Sequence, residues 1–366
     1  MAVLIIRKVM NLSKTNTQGK DINWINALKA LCIFFVFLRH SENYYGQDLG
    51  WFDGLFLPFY VNAFFFVSGY LLFWKQLSSP KITETCKEYL TGGGKLLASN
   101  VLFRIIIPSI IFATIEFFPK KLIKGEPIST ADMLVETLGG CTYWFTSALA
   151  VAEIFFLLLL FTRRNNIGFY ALIAFLLTAL GWYLIKIDFS FIKGYGSFPW
   201  QYKHGLISMC YLAFGGLYWR FELQIGKLLN NWVIIVLAIG YIAGSVIFRH
   251  YLSGGYMTSM EQIHPVGVLW SLIASILLVE LCRRLPKNIF LTFVGQNSIG
   301  FYFMSGALPT VFSMIAQRMI PEAHVWVVLL IFVSCVVVSY IAMLVLTKWL
   351  PWLFDFRVLF KNDENV

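Results

Sequence analysis

Apolar stretches of close to 20 residues recur from one end of the chain to the other, separated by short polar breaks. Each is long enough to cross a hydrocarbon core of about 30 Å as a helix. Ten can be read, at about 25–45, 53–74, 101–118, 142–161, 167–185, 205–221, 231–248, 263–282, 289–313 and 325–349. The pattern predicts an all-α, polytopic integral membrane protein with about ten transmembrane helices. The larger polar breaks, at about 75–100, 119–141, 186–204 and 249–262, are too short for an appended soluble domain. We therefore expect one transmembrane domain over 25–350, preceded by a segment at 1–24 and followed by a tail at 351–366.

Composition agrees with this pattern. The 366 residues are 58% hydrophobic and only 13% charged, too few charges to cover a soluble surface of this size. Mean hydropathy is +0.72. The net charge of +10 could suggest a polyanion-binding surface, but its distribution points to topology instead. If the N-terminus lies inside, the inner segments hold Arg7, Lys8, Lys14, Lys20, Arg163, Arg164, Arg283, Arg284, Lys348 and Arg357, among others. The outer segments hold fewer, such as Lys120, Lys121, Lys186, Lys203 and Arg249. This is the asymmetry of the positive-inside rule, so both termini are expected in the cytoplasm and no nucleic-acid partner is expected. Arg7 and Lys8 are followed by polar residues, without the apolar core or small-residue site of a cleavable signal peptide. Six scattered cysteines without C-x-x-C spacing support neither a disulfide framework nor a metal site. Thr91-Gly92-Gly93-Gly94-Lys95 lacks the strand and the Lys-Ser/Thr element of a phosphate loop and reads as a linker. Trp and Tyr near the span ends, such as Trp182, Tyr183 and Trp349, read as interfacial belts.

Polar groups inside the apolar runs carry the candidate chemistry. In the first run Lys29 precedes His40 by eleven positions. At about 100° per residue that spacing returns to nearly the same helix face, about 16 Å further along. Ionisable groups at such depth are expensive in lipid and mark function by default. Arg39 and Glu42 flank the histidine. The second run holds Asn62 and the Ser68-Gly69 pair, a device that also lets two helices approach closely. Arg104-Ile-Ile-Ile-Pro108 opens the third run, where a guanidinium fork could hold phosphate. Tyr143-Trp144-Phe145-Thr-Ser-Ala-Leu149 opens the fourth, and Ser298-Ile-Gly300-Phe-Tyr302 lies in the ninth.

In order and spacing these five motifs resemble the acyltransferase 3 family, the integral-membrane enzymes that O-acylate carbohydrates. Lys29 to His40 matches the family's pattern of a basic residue, ten positions, then histidine. Phe64 to Leu72, Arg104 to Pro108, Trp144 to Leu149 and Ser298 to Tyr302 match its later elements, so the resemblance runs over about 22–310. The chain departs from the pattern at Lys29, where arginine is commoner, at Arg39, where a small residue is usual, and at Ser305, where histidine often stands.

The resemblance implies transfer of an acetyl group from cytoplasmic acetyl-CoA, or another acyl-CoA, to a hydroxyl of a surface polysaccharide or lipid-linked sugar. No tightly bound cofactor is implied. On this reading His40 is the general base, because histidine has the pKa best suited to activating a hydroxyl near pH 7, or it carries the acyl group in a covalent relay, which the sequence does not separate from direct transfer. Glu42 or Asn43 orients the imidazole, and Lys29, Arg39 and Arg104 hold the acyl-CoA. Asn62, Ser68, Gly69, Trp144, Ser298 and Tyr302 are structural or acceptor-site residues. A bacterial inner membrane is the location the family implies. The alternative is a transporter or flippase of polysaccharide or lipid-linked sugar without acyl chemistry. The sequence has no readable code for the sugar, the hydroxyl or the oligomeric state.

Overall fold

The computed structural model describes residues 23–359 apart from 48, 78–87, 89–90, 163–166, 193–195, 197, 248–264, 321 and 323. The segment 1–22, the end of the tail and most of the loop at 249–262 lie outside the described residues. Every element named below is helical.

Helix α1 (Asn23–Tyr45) runs through a stretch without Gly or Pro and stops at Gly46. That glycine has φ +84, the left-handed conformation that a Cβ disfavours, and its N–H donates to the Glu42 carbonyl. Leu28, Ala30, Cys32 and Phe37 of α1 are fully buried. Of its membrane-length stretch 67% is buried, against 17% for the peripheral helix Gly168–Lys186, so α1 is a central element of the bundle.

Helix α2 (Asn62–Leu77) follows a short helical piece, Asp53–Phe56. Next come α3 (Gly93–Val101), a π turn (Leu102–Ile106) and α4 (Ile107–Lys124). A short α5 (Thr130–Thr137) leads to α6 (Trp144–Thr162) and α7 (Ile167–Lys186). Helices α8 (Tyr202–Leu228) and α9 (Asn231–Ile247) are bent by 104° to one another. Then follow α10 (Pro265–Arg284), α11 (Ile289–Gln296), α12 (Ser298–Met319), α13 (Val325–Trp349) and two 3-10 turns, Pro351–Leu353 and 356–359. Helix α1 packs against α2 and against α10 to α13, while α8 packs against α2, α6 and α7.

The fold is all-helical, as the pattern predicts, but the count of individually sufficient spans is lower than ten. Among the described residues five helices are long and apolar enough to cross a membrane, or six if the bent pair α8–α9 is one span. Breaks, charges, one short apolar helix (Trp144–Leu159) and the bent pair account for the difference, while the interrupted run at 289–313 still yields one span, Ser298–Met319. The stretch at 53–74 is interrupted beside Pro58, and the stretch at 289–313 is interrupted at Asn297. Helix α10 carries Glu280, Arg283 and Arg284 near its end. The glycine triplet read as a linker instead opens α3 at Gly93.

Small residues set the closest helix contacts. A Cβ on Gly69 would lie 1.9 Å from the Leu212 carbonyl oxygen, and one on Gly215 would lie 1.8 Å from that of Phe66. α2 and α8 therefore touch backbone to backbone, which side chains at these positions would prevent. At one end of the bundle the charges of α8 and α10 neutralise each other. Arg283 pairs with Glu222 and lies over the rings of Trp24 and Tyr218, 5.0 and 5.4 Å from their centroids. The Tyr218 hydroxyl donates to Glu280 at 2.7 Å, Arg284 pairs with Glu280 at 2.7 Å, and the Tyr70 hydroxyl donates to Glu222 at 3.0 Å. This network ties α1, α2, α8 and α10 together.

Candidate active site

The ionisable residues of α1 divide the site into two ends. Lys29 and His40 are both half-buried, one towards each end of the helix.

At the Lys29 end, Arg104 and Lys75 stand within electrostatic range of Lys29. Lys75 is also within range of Glu153 and Arg357. Arg104 sits inside the π turn Leu102–Ile106, and Pro108 explains the turn. Proline has no N–H to give the carbonyl four residues earlier, that of Arg104, and its ring crowds that oxygen, so the helix widens there. Ser109 fixes the following turn by donating to the Ile105 carbonyl at 2.6 Å, with Thr146 Oγ1 2.9 Å from the same hydroxyl. Arg104 also faces Asp355, at 3.7 Å, on the segment that follows α13. Asp355 is gripped by Arg357 through two side-chain contacts of 2.7 and 2.6 Å, and Arg357 donates to Asn100 Oδ1 at 2.8 Å. The early part of α1 and the segment after α13 thus meet at one end of the bundle.

At the other end, the His40 ring stacks on Tyr44 with centroids 5.6 Å apart, an i,i+4 neighbour on the same face. Tyr44, Tyr60 and Glu116 lie within electrostatic range of the Tyr302 hydroxyl. That hydroxyl accepts the Phe145 N–H at 3.2 Å, so the fourth motif meets the ninth-run motif directly. The Tyr143 hydroxyl donates to Glu116 at 2.5 Å, and the Phe303 carbonyl lies 3.2 Å from the same oxygen. The phenols of Tyr44, Tyr60, Tyr143 and Tyr302 and the carboxylate of Glu116 therefore border the histidine's end of α1.

Other residues singled out by sequence have different roles. Arg39 is ten residues from Lys29 and does not join it; its guanidinium lies 3.3 Å from Glu42 and 3.9 Å from Asp53. The Glu42 oxygens face Arg39 and the Leu49 N–H, which donates at 3.0 Å, rather than the imidazole. The side chain of Asn62 donates to the Pro58 carbonyl at 3.0 Å and to Ser271 at 2.9 Å, repairing the break ahead of α2. Gly69 is a packing residue, as above, and Ser68 beside it is half-buried. Trp144 sets its ring against His204, 5.7 Å between centroids. Ser298 is buried at the start of α12, where Gly300 lets Met343 and Phe354 approach.

Sequence reading did not single out Glu116, Lys75, Glu153 or Arg357 as site residues. For Glu116 a signal existed: it follows Arg104 by twelve positions, so α3–α4 repeats the α1 pattern of one ionisable group towards each end. Among the described residues no group of three His, Cys, Asp or Glu is placed to hold a metal ion. What the arrangement offers is a cationic patch at one end and, at the other, an imidazole stacked on the Tyr44 phenol, with further phenols grouped around Tyr302. No curated protein and no solved structure matches the chain. A family model for an acyltransferase domain matches residues 22–346, which include every residue of the two ends except Asp355 and Arg357. The chain belongs to the acyltransferase 3 family and is a membrane acyltransferase.

Proposed function

We propose that the protein transfers an acetyl group from cytoplasmic acetyl-CoA to a hydroxyl of a surface or lipid-linked carbohydrate, in a bacterial inner membrane. The observation that carries this reading is the placement of Lys29 and Arg104 together at one end of α1, with His40 eleven residues along the same helix. Lys29 and Arg104 hold the phosphates of the donor, the guanidinium by its fork and the ammonium as a point charge. The pantetheine arm then follows α1 towards His40, a rise of about 16 Å.

Neutral His40 takes the proton from the acceptor hydroxyl as the oxygen attacks the thioester carbonyl. The carbon–sulfur bond breaks, and the proton on the imidazole passes to the departing thiolate. Tyr302 and Tyr143 supply hydroxyls beside this point, and Glu116 holds the Tyr143 hydroxyl in place. Arg39 and Glu42, joined to each other, brace the end of α1 that carries His40.

The test compares O-acetyl ester on the surface glycan of a deletion strain carrying either wild type or His40→Ala at matched membrane abundance. We expect ester only with wild type, in line with the roughly 10²–10⁴-fold contribution of a positioned base. Equal ester from both proteins would remove His40 from the chemistry. Glycan that reaches the surface only with wild type, and never bears ester, would make the protein a transporter.

A further inference from the structure

The segment after α13 is built into the Lys29 end of the bundle. Leu350 caps α13, and the 3-10 turn Pro351–Leu353 after it redirects the chain. Leu353 is buried, and the Phe354 ring stacks on Phe112 with centroids 5.6 Å apart. This anchor delivers Asp355 and Arg357 to Arg104 and Asn100. Around them Lys29, Lys75, Arg104 and Arg357 face two carboxylates, Glu153 and Asp355, which leaves two positive charges in excess. The Arg104 side chain remains 49% exposed, and its contact with Asp355 is a partly solvated one at 3.7 Å, the kind of ion pair that holds weakly.

We propose that Arg357 is a phosphate-binding residue of the donor site and that Asp355 is an internal stand-in for phosphate, which the donor displaces from Arg104 and Arg357. The inference rests on the reading that acyl-CoA enters at this end. A carboxylate held by both Nε and Nη2 of Arg357 shows the geometry in which that guanidinium would receive two phosphate oxygens. A phosphate brings more charge than the carboxylate and satisfies the excess around Lys29 and Lys75 as well. Arg357 then turns from Asp355 to the donor while Asn100 keeps its Nη1 in place.

The experiment measures coenzyme A binding to the purified full-length protein in detergent, by calorimetry at fixed ionic strength. The proteins are wild type, Arg104→Gln, Arg357→Gln, Arg357→Lys and Asp355→Asn, each checked for an unchanged thermal midpoint. S-acetylpantetheine, which has no phosphate, is the control ligand. Arg104→Gln and Arg357→Gln should weaken coenzyme A binding about fivefold or more, with Arg357→Lys intermediate. Asp355→Asn should tighten it by a similar factor, and binding of the control should be the same in every variant. A purely structural segment gives the opposite sign: if Asp355→Asn weakens binding or leaves it unchanged while Arg104→Gln weakens it, the inference is wrong and the donor reading stands. If wild type does not bind coenzyme A, or Arg104→Gln binds as wild type does, the donor reading fails and the inference fails with it.

Discussion

Gly69 has no room for a methyl group, because its Cβ would sit inside the Leu212 carbonyl. Gly69→Ala is therefore expected to push α2 and α8 apart, at a cost of about 1–3 kcal/mol. A lower unfolding temperature in detergent would show it, whereas an unchanged midpoint would mean that α8 can shift without loss. The Ser68-Gly69 pair was readable as a packing device from sequence. The opposing residue was not, since Leu212 lies far along the chain and only the fold brings it there. The same distinction holds for the chemistry. Lys29 and His40 could be linked by helical arithmetic on one segment, and so could Arg104 and Pro108. Glu116 meets Tyr143, and Arg357 meets Asn100, across different elements, and no local spacing encodes those meetings.

Among the elements, the widened turn that carries Arg104 has the plainest cause and the plainest test. Pro108→Ala restores an N–H that can bond to the Arg104 carbonyl and lets the turn relax to a regular helix. Removing the extra residue from that turn rotates Arg104 by up to about 100° relative to the rest of α4. The expected outcome is a higher KM for acetyl-CoA with the unfolding midpoint unchanged or raised. A KM equal to that of wild type would show that Arg104 reaches its place whatever the turn. Elements also show where reading by apolar length goes astray. The run at 53–74 looks continuous because its residues are apolar, yet Pro58 cannot continue a helix and Asn62 makes the break tolerable by bonding to the Pro58 carbonyl. In the run at 289–313 the polar residue Asn297 marks the break between α11 and α12, where Gly295 is pressed against the Asn26 carbonyl of α1.

For the molecule as a whole, the join between the segment after α13 and the start of the bundle has a defined pH dependence. Arg357 beside Asp355 holds its carboxyl below the ordinary carboxylate range. A carboxyl depressed in the folded state contributes fully above its ordinary pKa, and that contribution is lost as pH falls through the depressed value. Amide exchange over 351–359 should thus show protection at neutral pH that declines on acidification, after correction for intrinsic rates. Asp355→Asn should show less protection and little dependence on pH. Protection in wild type that does not change with pH would mean that Leu353 and Phe354 hold the segment without help from the ion pair.

Helix α1 is pinned at both of its ends. Asn26 abuts Gly295 at the start. At the finish, the Tyr45 hydroxyl donates to the Glu322 carbonyl at 2.9 Å and lies 3.3 Å from that of Ile320. A rod held in this way works as a ruler. On the proposed reading, the distance from the phosphate anchor to the base is set by the number of helical residues between them, so a donor has to match that measure. Such a ruler selects for the phosphate-to-thioester span of the pantetheine arm, which is the same in every acyl-CoA, so choice among acyl groups falls to the residues beyond the imidazole.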